Sequence, residues 1–176
     1  LLGTAGVTVG LALQGGLANL AGGVLLLLFK PFVVGDYIIQ DQSNGCEGTV
    51  AKIEICYTTL LSIDNKKIVV PNGTLSNSTI INVTAKENRK LEIKVGISYE
   101  ADIQKAKRII EKILREDADT KSDTKEMVVF VDELADSAVI MGLRVWVSTE
   151  RYWPTKWRLN QKIKEEFDAN GIVIPY

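Results

Sequence analysis

The chain has 176 residues, with 21 Lys plus Arg, 22 Asp plus Glu, a net charge of −1 and no histidine. A near-neutral balance argues against a dedicated nucleic-acid binder, which carries a basic excess on one face; the lack of histidine removes the commonest general base and the commonest metal ligand. The two cysteines, Cys46 and Cys56, make neither a disulfide framework nor a four-ligand zinc site on their own. Charge is unevenly spread, and residues 1–29 carry none of it.

An uncharged apolar run of this length predicts a membrane helix. It lacks the basic amino-terminal flank and cleavage site of a signal peptide, and it has no polar face to suit a soluble core helix. Its glycines, Gly3, Gly6, Gly10, Gly15, Gly16, Gly22 and Gly23, weaken an isolated helix. So many small residues imply close approach of neighbouring helices. At about 100° per residue, Val7, Leu11, Gln14 and Gly3 share one face. Gly6 and Gly10 form one flank, and Thr4, Thr8 and Ala12 form the other.

Two unlike small-residue flanks suit a heterologous contact that closes into a ring, with Val7 and Leu11 facing the axis. Rings of identical apolar side chains form a constriction that closes by dewetting. Simple pairing through Gly6 and Gly10 is the alternative, and it leaves the second flank unused. Gly15-Gly16 predicts a kink, after which Leu17 to Phe29 resumes as a second helical piece with Asn19 its one strongly polar residue. Lys30-Pro31 ends that piece and, with Asn19, marks the expected membrane–cytoplasm boundary.

From Gly35 the pattern changes to short strands. They are expected at Tyr37-Ile38-Ile39, Thr49 to Ile55, Thr58 to Ile63 and Ile68-Val69-Val70, with turns at Asp41 to Gly45 and Asp64-Asn65. This spacing predicts a small all-β barrel or sandwich over 33–88. A second pattern starts at Arg89, where Leu91, Ile93, Val95 and Ile97 alternate as a half-buried strand. Asp102 is a candidate N-cap for an amphipathic helix carrying Ile103, Ala106, Ile109, Ile110, Ile113 and Leu114. Strands at Met127 to Val131 and Val139 to Val147 follow. Next comes a helix opened by Pro154, with Leu159, Ile163 and Phe167 on one face, and stopped by Gly171. Ile172-Val173-Ile174 is read as a last strand. The order β-α-β-β-α-β predicts a ferredoxin-like α+β domain over 89–176, and residues 1–32 form the membrane segment.

No phosphate loop, nucleophile elbow or metal-spaced ligand set is present in the sequence, and no residue is assigned a catalytic, cofactor or metal role. Asp132, Glu133 and Asp136 read as a solvated turn. Trp146, Trp153 and Trp157 read as core or subunit-interface packing in preference to a stacking platform. Cys46 and Cys56 read as reduced thiols.

Three runs, Val9-Gly10-Leu11-Ala12-Leu13-Gln14-Gly15, Leu17-Ala18-Asn19-Leu20-Ala21-Gly22-Gly23 and Lys30-Pro31-Phe32-Val33-Val34-Gly35-Asp36-Tyr37, combine with Gly48-Thr49-Val50, Thr58-Thr59, Val70-Pro71-Asn72-Gly73 and Asp168-Ala169-Asn170-Gly171-Ile172. Together they resemble the small-conductance mechanosensitive channel family over nearly the whole chain. The resemblance implies a homoheptamer in a bacterial-type inner membrane, multi-pass, with residues 33–176 cytoplasmic around a hollow vestibule. It implies opening under membrane tension and release of ions and small osmolytes on hypo-osmotic shock, with lipids and permeating solutes as the other partners. Carried over by position, the pore-sealing rings fall on Val7 and Leu11, the hinge on Gly15, a second kink on Gly23, and packing glycines on Gly3, Gly6 and Gly10.

The sequence departs from the family at Val7, where Leu is frequent, at Lys30, where Arg is commoner, and at Gly16, which doubles the hinge. The family also places helices before the pore helix and a short barrel strand after the last domain, so a longer protein is expected. The competing expectation is a membrane-anchored regulatory or ligand-binding module without conductance.

Overall fold

A computed structural model of the chain describes residues 2–41, 45–120 and 126–175, apart from the side chains of Leu2, Thr4 and Ala5. The packing role expected of Thr4 therefore lies outside the described residues, as do parts of the 41–45 turn and of the charge run ending at Lys125. Two compact units are formed, Leu1–Ala85 and Lys86–Tyr176.

In the first unit the apolar run makes a single helix, α1 (Leu2–Phe29). It passes through Gly15-Gly16 without a break, so the expected division into two helical pieces does not occur in this conformation. Glycine costs about 1 kcal/mol of helix propensity but keeps its N–H; only proline both removes the donor and clashes with the preceding turn. Termination falls where Lys30 turns left-handed, at φ 47°. Its N–H closes back on the Leu26 carbonyl at 3.0 Å, and Pro31 prevents continuation.

Five strands follow: β1 (Tyr37–Gln40), β2 (Glu47–Ile53), β3 (Tyr57–Leu61), β4 (Lys67–Pro71) and β5 (Ile80–Asn82), with the short helix α2 (Asn72–Ser76) between the last two. They pair antiparallel in the order β4-β3-β2-β1-β5. The result is one open sheet with β4 and β5 at its edges, where a barrel or sandwich was expected. The chain leaves β4 through Pro71 into α2, an element the strand pattern did not announce. Ile38, Val50, Leu60 and Val70 form the core with Leu26 of α1, Phe32 and Leu75 of α2.

The second unit contains β6 (Asn88–Ile97), α3 (Ile103–Glu116), β7 (Val128–Leu134), β8 (Val139–Ser148) and α4 (Tyr152–Ala169), the last reached through a 3-10 turn at Thr149–Arg151. The strand order β6-β8-β7, antiparallel throughout, makes β6 and β7 parallel around β8, a split βαβ unit. Leu91, Ile93, Ile97, Met141, Leu143, Val145 and Val147 project from one face onto Ile110, Ile113 and Leu114 of α3 and Leu159, Ile163 and Phe167 of α4. The Asp102 cap is formed, with its Oδ1 accepting from the N–H groups of Gln104 (2.9 Å) and Lys105 (3.0 Å).

Two expectations are corrected here. Pro154 occupies the third position of α4, still inside the first turn, where its missing N–H leaves no helical bond unmade. Ile172-Val173-Ile174 is not a ladder strand: Gly171 turns at φ 69°, and the segment then offers the sheet one bond, from Ser98 N–H to the Val173 carbonyl at 2.9 Å.

Candidate functional site

α1 has two halves with different surroundings. From Gly3 to Ala18 every described side chain is exposed, including Val7 (64%) and Leu11 (66%). A methyl group built on Gly3, Gly6, Gly10, Gly15 or Gly16 would meet nothing within 4 Å. Thr8, Ala12 and Gln14 lie on the same bare stretch. Burying apolar surface is the dominant favourable term in folding, so an uncharged helix bare all round needs a non-aqueous environment or further helices against it. At about 1.5 Å per residue, residues 2–18 extend about 25 Å, near the ~30 Å hydrocarbon thickness of a bilayer. The apolar span by length and composition is Gly6–Phe29.

The second half is seated within its own unit. Asn19, Gly22, Gly23 and Leu26 form one stripe at i, i+3, i+4 and i+7. The Asn19 Oδ1 atom accepts from the Gly73 N–H at 3.0 Å. A Cβ on Gly22 would stand 2.7 Å from the Asn72 carbonyl carbon, and one on Gly23 would stand 1.9 Å from the Ile55 oxygen. Only glycine allows this approach. Asn72 is fully buried beneath it. Its Oδ1 accepts from Thr58 Oγ1 at 2.7 Å, its Nδ2 donates to the Glu54 carbonyl at 2.7 Å, and its own N–H donates to the Cys56 carbonyl at 2.9 Å. With every polar atom of its side chain engaged, Asn72 fixes the β2–β3 turn and the start of α2 as the floor on which α1 rests.

Beyond Lys30-Pro31 the chain is clasped by Asp36. One carboxylate oxygen accepts from the Val33 N–H (2.9 Å) and from Asn82 Nδ2 (2.8 Å), and the other accepts from Thr84 Oγ1 (3.2 Å). Burial pushes this carboxyl up, but the three hydrogen bonds outweigh it and hold it below the usual carboxylate range. Asn82 also donates to the Pro31 carbonyl at 3.3 Å, and Gly35 supplies a positive φ of 100° in the same loop.

In the second unit Arg158 of α4 bridges Asp117 (2.8 Å) and Asp119 (2.8 Å) after α3, and Arg151 joins at Asp119. Cys46 and Cys56 are free thiols, and burial pushes the Cys46 thiol up. No group of His, Cys, Asp and Glu suited to a metal occurs among the described residues. Gly22 and Asn72 were read from the sequence only as members of wider motifs and the Ile55 carbonyl not at all, although the i, i+3, i+4, i+7 stripe from Asn19 to Leu26 would have revealed the seat. The clasp made by Asp36, Asn82 and Thr84 joins residues some 46 positions apart and leaves no local signal.

Two family models match. "Mechanosensitive ion channel, beta-domain" covers residues 16–85, and "Mechanosensitive ion channel MscS, C-terminal" covers residues 91–174. A small-conductance mechanosensitive channel from Edwardsiella ictaluri is 40% identical over 172 residues, 98% of this chain and 59% of that protein. A closed-state crystal structure of Helicobacter pylori MscS superposes with TM-score 0.88 at 32% identity, covering 99% of this chain and 68% of that one. Arabidopsis thaliana MSL1 shares the fold, with TM-score 0.80 at 20% identity.

An apolar helix seated on a β unit, followed by an α+β unit, is thus the architecture of a mechanosensitive channel subunit. The chain belongs to the small-conductance mechanosensitive channel (MscS) family. It spans about three fifths of the length of the curated relatives it matches.

Proposed function

We propose that this chain is part of a tension-gated, weakly selective channel of a bacterial-type inner membrane, multi-pass, in which seven copies of α1 surround one pore. The observation that carries the reading is the bare first half of α1, uncharged and open on its glycine flank. Gly3, Gly6 and Gly10 of one copy accept Thr4, Thr8 and Ala12 of the next, which turns Val7 and Leu11 to the axis and leaves the opposite face to lipid. Two stacked apolar rings then exclude water at rest.

Tension favours whichever state occupies more membrane area and shifts the equilibrium toward splayed helices, releasing ions and small osmolytes on hypo-osmotic shock. Gly15 and Gly16 act as the hinge and Gly23 as a lower pivot. Asn19, Lys30 and Pro31 bound the membrane, with residues 33–176 cytoplasmic. The channel needs no cofactor or metal, and the chain is not an enzyme. Val7→Ser and Leu11→Ser should each hydrate the seal and raise resting conductance in patch recordings; unchanged resting conductance in both removes the pore assignment.

A further inference from the structure

The second unit carries two exposed apolar patches that its own core leaves uncovered. On the outward face of α4, Trp153 (52% exposed) and Trp157 (64% exposed) stand one turn apart with ring centroids 6.1 Å apart. The Lys156 ammonium lies 5.4 Å over the Trp153 ring. Along β7 and its turn, Leu134 (68%) and Val131 (41%) are exposed beside the exposed carboxylates Glu133 and Asp136, which make no ion pair among the described residues. The patches lie at opposite ends of the sheet. Leu134 pairs with Val139 where β8 begins, whereas the 3-10 turn and α4 start beyond the Asn88–Ser148 pair where β8 ends.

We infer that these patches are the two halves of one contact, and that the occupant of each is a second copy of this chain. The aromatic, cationic start of α4 in one copy seats on the apolar, acidic β7 edge of the next. Tryptophan buries about 150–250 Å² when covered and is enriched among residues that dominate interfaces. Lys156 meets the exposed carboxylates of Glu133 and Asp136, while like patches would set Lys156 against Lys156. Unlike, complementary patches define a heterologous interface, which closes into a ring. The inference rests on the ring reading above and adds a specific contact to it.

The test joins the patches covalently. The pair Trp157→Cys with Leu134→Cys, expressed in bacterial membranes and oxidised, should move the monomer band into a ladder of multimers that neither single variant nor the unaltered protein gives. Both positions are largely exposed, so neither change removes core packing. A charge arm accompanies it: Lys156→Glu should loosen the assembly in native mass spectrometry, and Lys156→Glu combined with Glu133→Lys should restore it. An intact multimer without a ladder, with the charge swap inert, overturns this contact and leaves the ring standing. A monomer in the unaltered protein overturns both.

Discussion

Asn19 and Gly73 are joined by one hydrogen bond, from the backbone N–H at the start of α2 to the side-chain amide oxygen on α1, at 3.0 Å. Asn19 is the one strongly polar residue between Leu17 and Phe29, and it sits at the level where α1 stops being bare and begins to be seated. A Cβ on Gly73 would stand 2.9 Å from that oxygen, so the bond and the closeness of the two helices depend on each other.

Replacing Asn19 separates polarity from shape. Asn19→Leu should remove the acceptor, weaken the seat by about 1 kcal/mol and speed amide exchange at Gly73. Asn19→Asp keeps an oxygen aimed at the donor and should preserve most of the protection. Hydrogen–deuterium exchange over 72–76 reads the difference, and equal protection in the two variants would dismiss the bond as incidental.

Gly23 has less latitude than any other glycine of α1. A Cβ 1.9 Å from the Ile55 oxygen has nowhere to go but against backbone. Gly23→Ala should therefore cost about 1–3 kcal/mol by overpacking and lift the lower half of α1 from its floor. Gly10→Ala meets nothing in the subunit and should leave its thermal stability in detergent unchanged. A melting temperature for Gly23→Ala equal to the unaltered protein's would refute the seat.

Gly15→Ala with Gly16→Ala raises helix propensity by about 1 kcal/mol at each position. In a helix that is already continuous, this stabilises the straight form against any bent one. Closing or desensitisation should slow or change character in patch recordings. Traces identical to the unaltered protein's would deny the glycine pair a part in the proposed gating.

Acid should loosen the second unit through Asp117, Asp119 and Arg158. Burial raises the Asp117 carboxyl, but the Arg158 guanidinium and the Asp119 N–H more than offset this and hold it low; Arg151 and Arg158 lower Asp119. Both groups bind fewer protons folded than unfolded, so their contribution is full above about pH 4, the unfolded value, and is lost as pH falls through the depressed folded values. Arg158→Gln should cost about 1–3 kcal/mol at neutral pH and flatten the decline in stability below about pH 4. Tryptophan fluorescence during acid titration reads both effects; an unaltered acid limb would exclude the triad.

Local chemistry made most of the fold legible. The Asp102 cap, the buried stripe Leu159-Ile163-Phe167, the Gly171 stop and the alternation from Leu91 to Ile97 each depend on neighbours within one element, and each was readable in the chain. What escaped depends on residues far apart. The open sheet follows from β4 turning into α2, and the missing fourth ladder strand from a segment that makes one bond to the sheet edge. At 15–16 the glycine pair lowers helix propensity without breaking the hydrogen-bond ladder, so α1 runs through it as one helix. In Gly22-Gly23, glycine served proximity to the Ile55 and Asn72 backbone, a role that pattern alone does not separate from bending.

An unbroken helix carries rotational phase along its length. The lower end of α1 is keyed to its unit by the stripe Asn19-Gly22-Gly23-Leu26, so the compass direction of Val7 and Leu11 is already set three to four turns below them. Deleting one residue between Leu13 and Ala18 would spin both side chains by about 100° while leaving every contact of the floor in place.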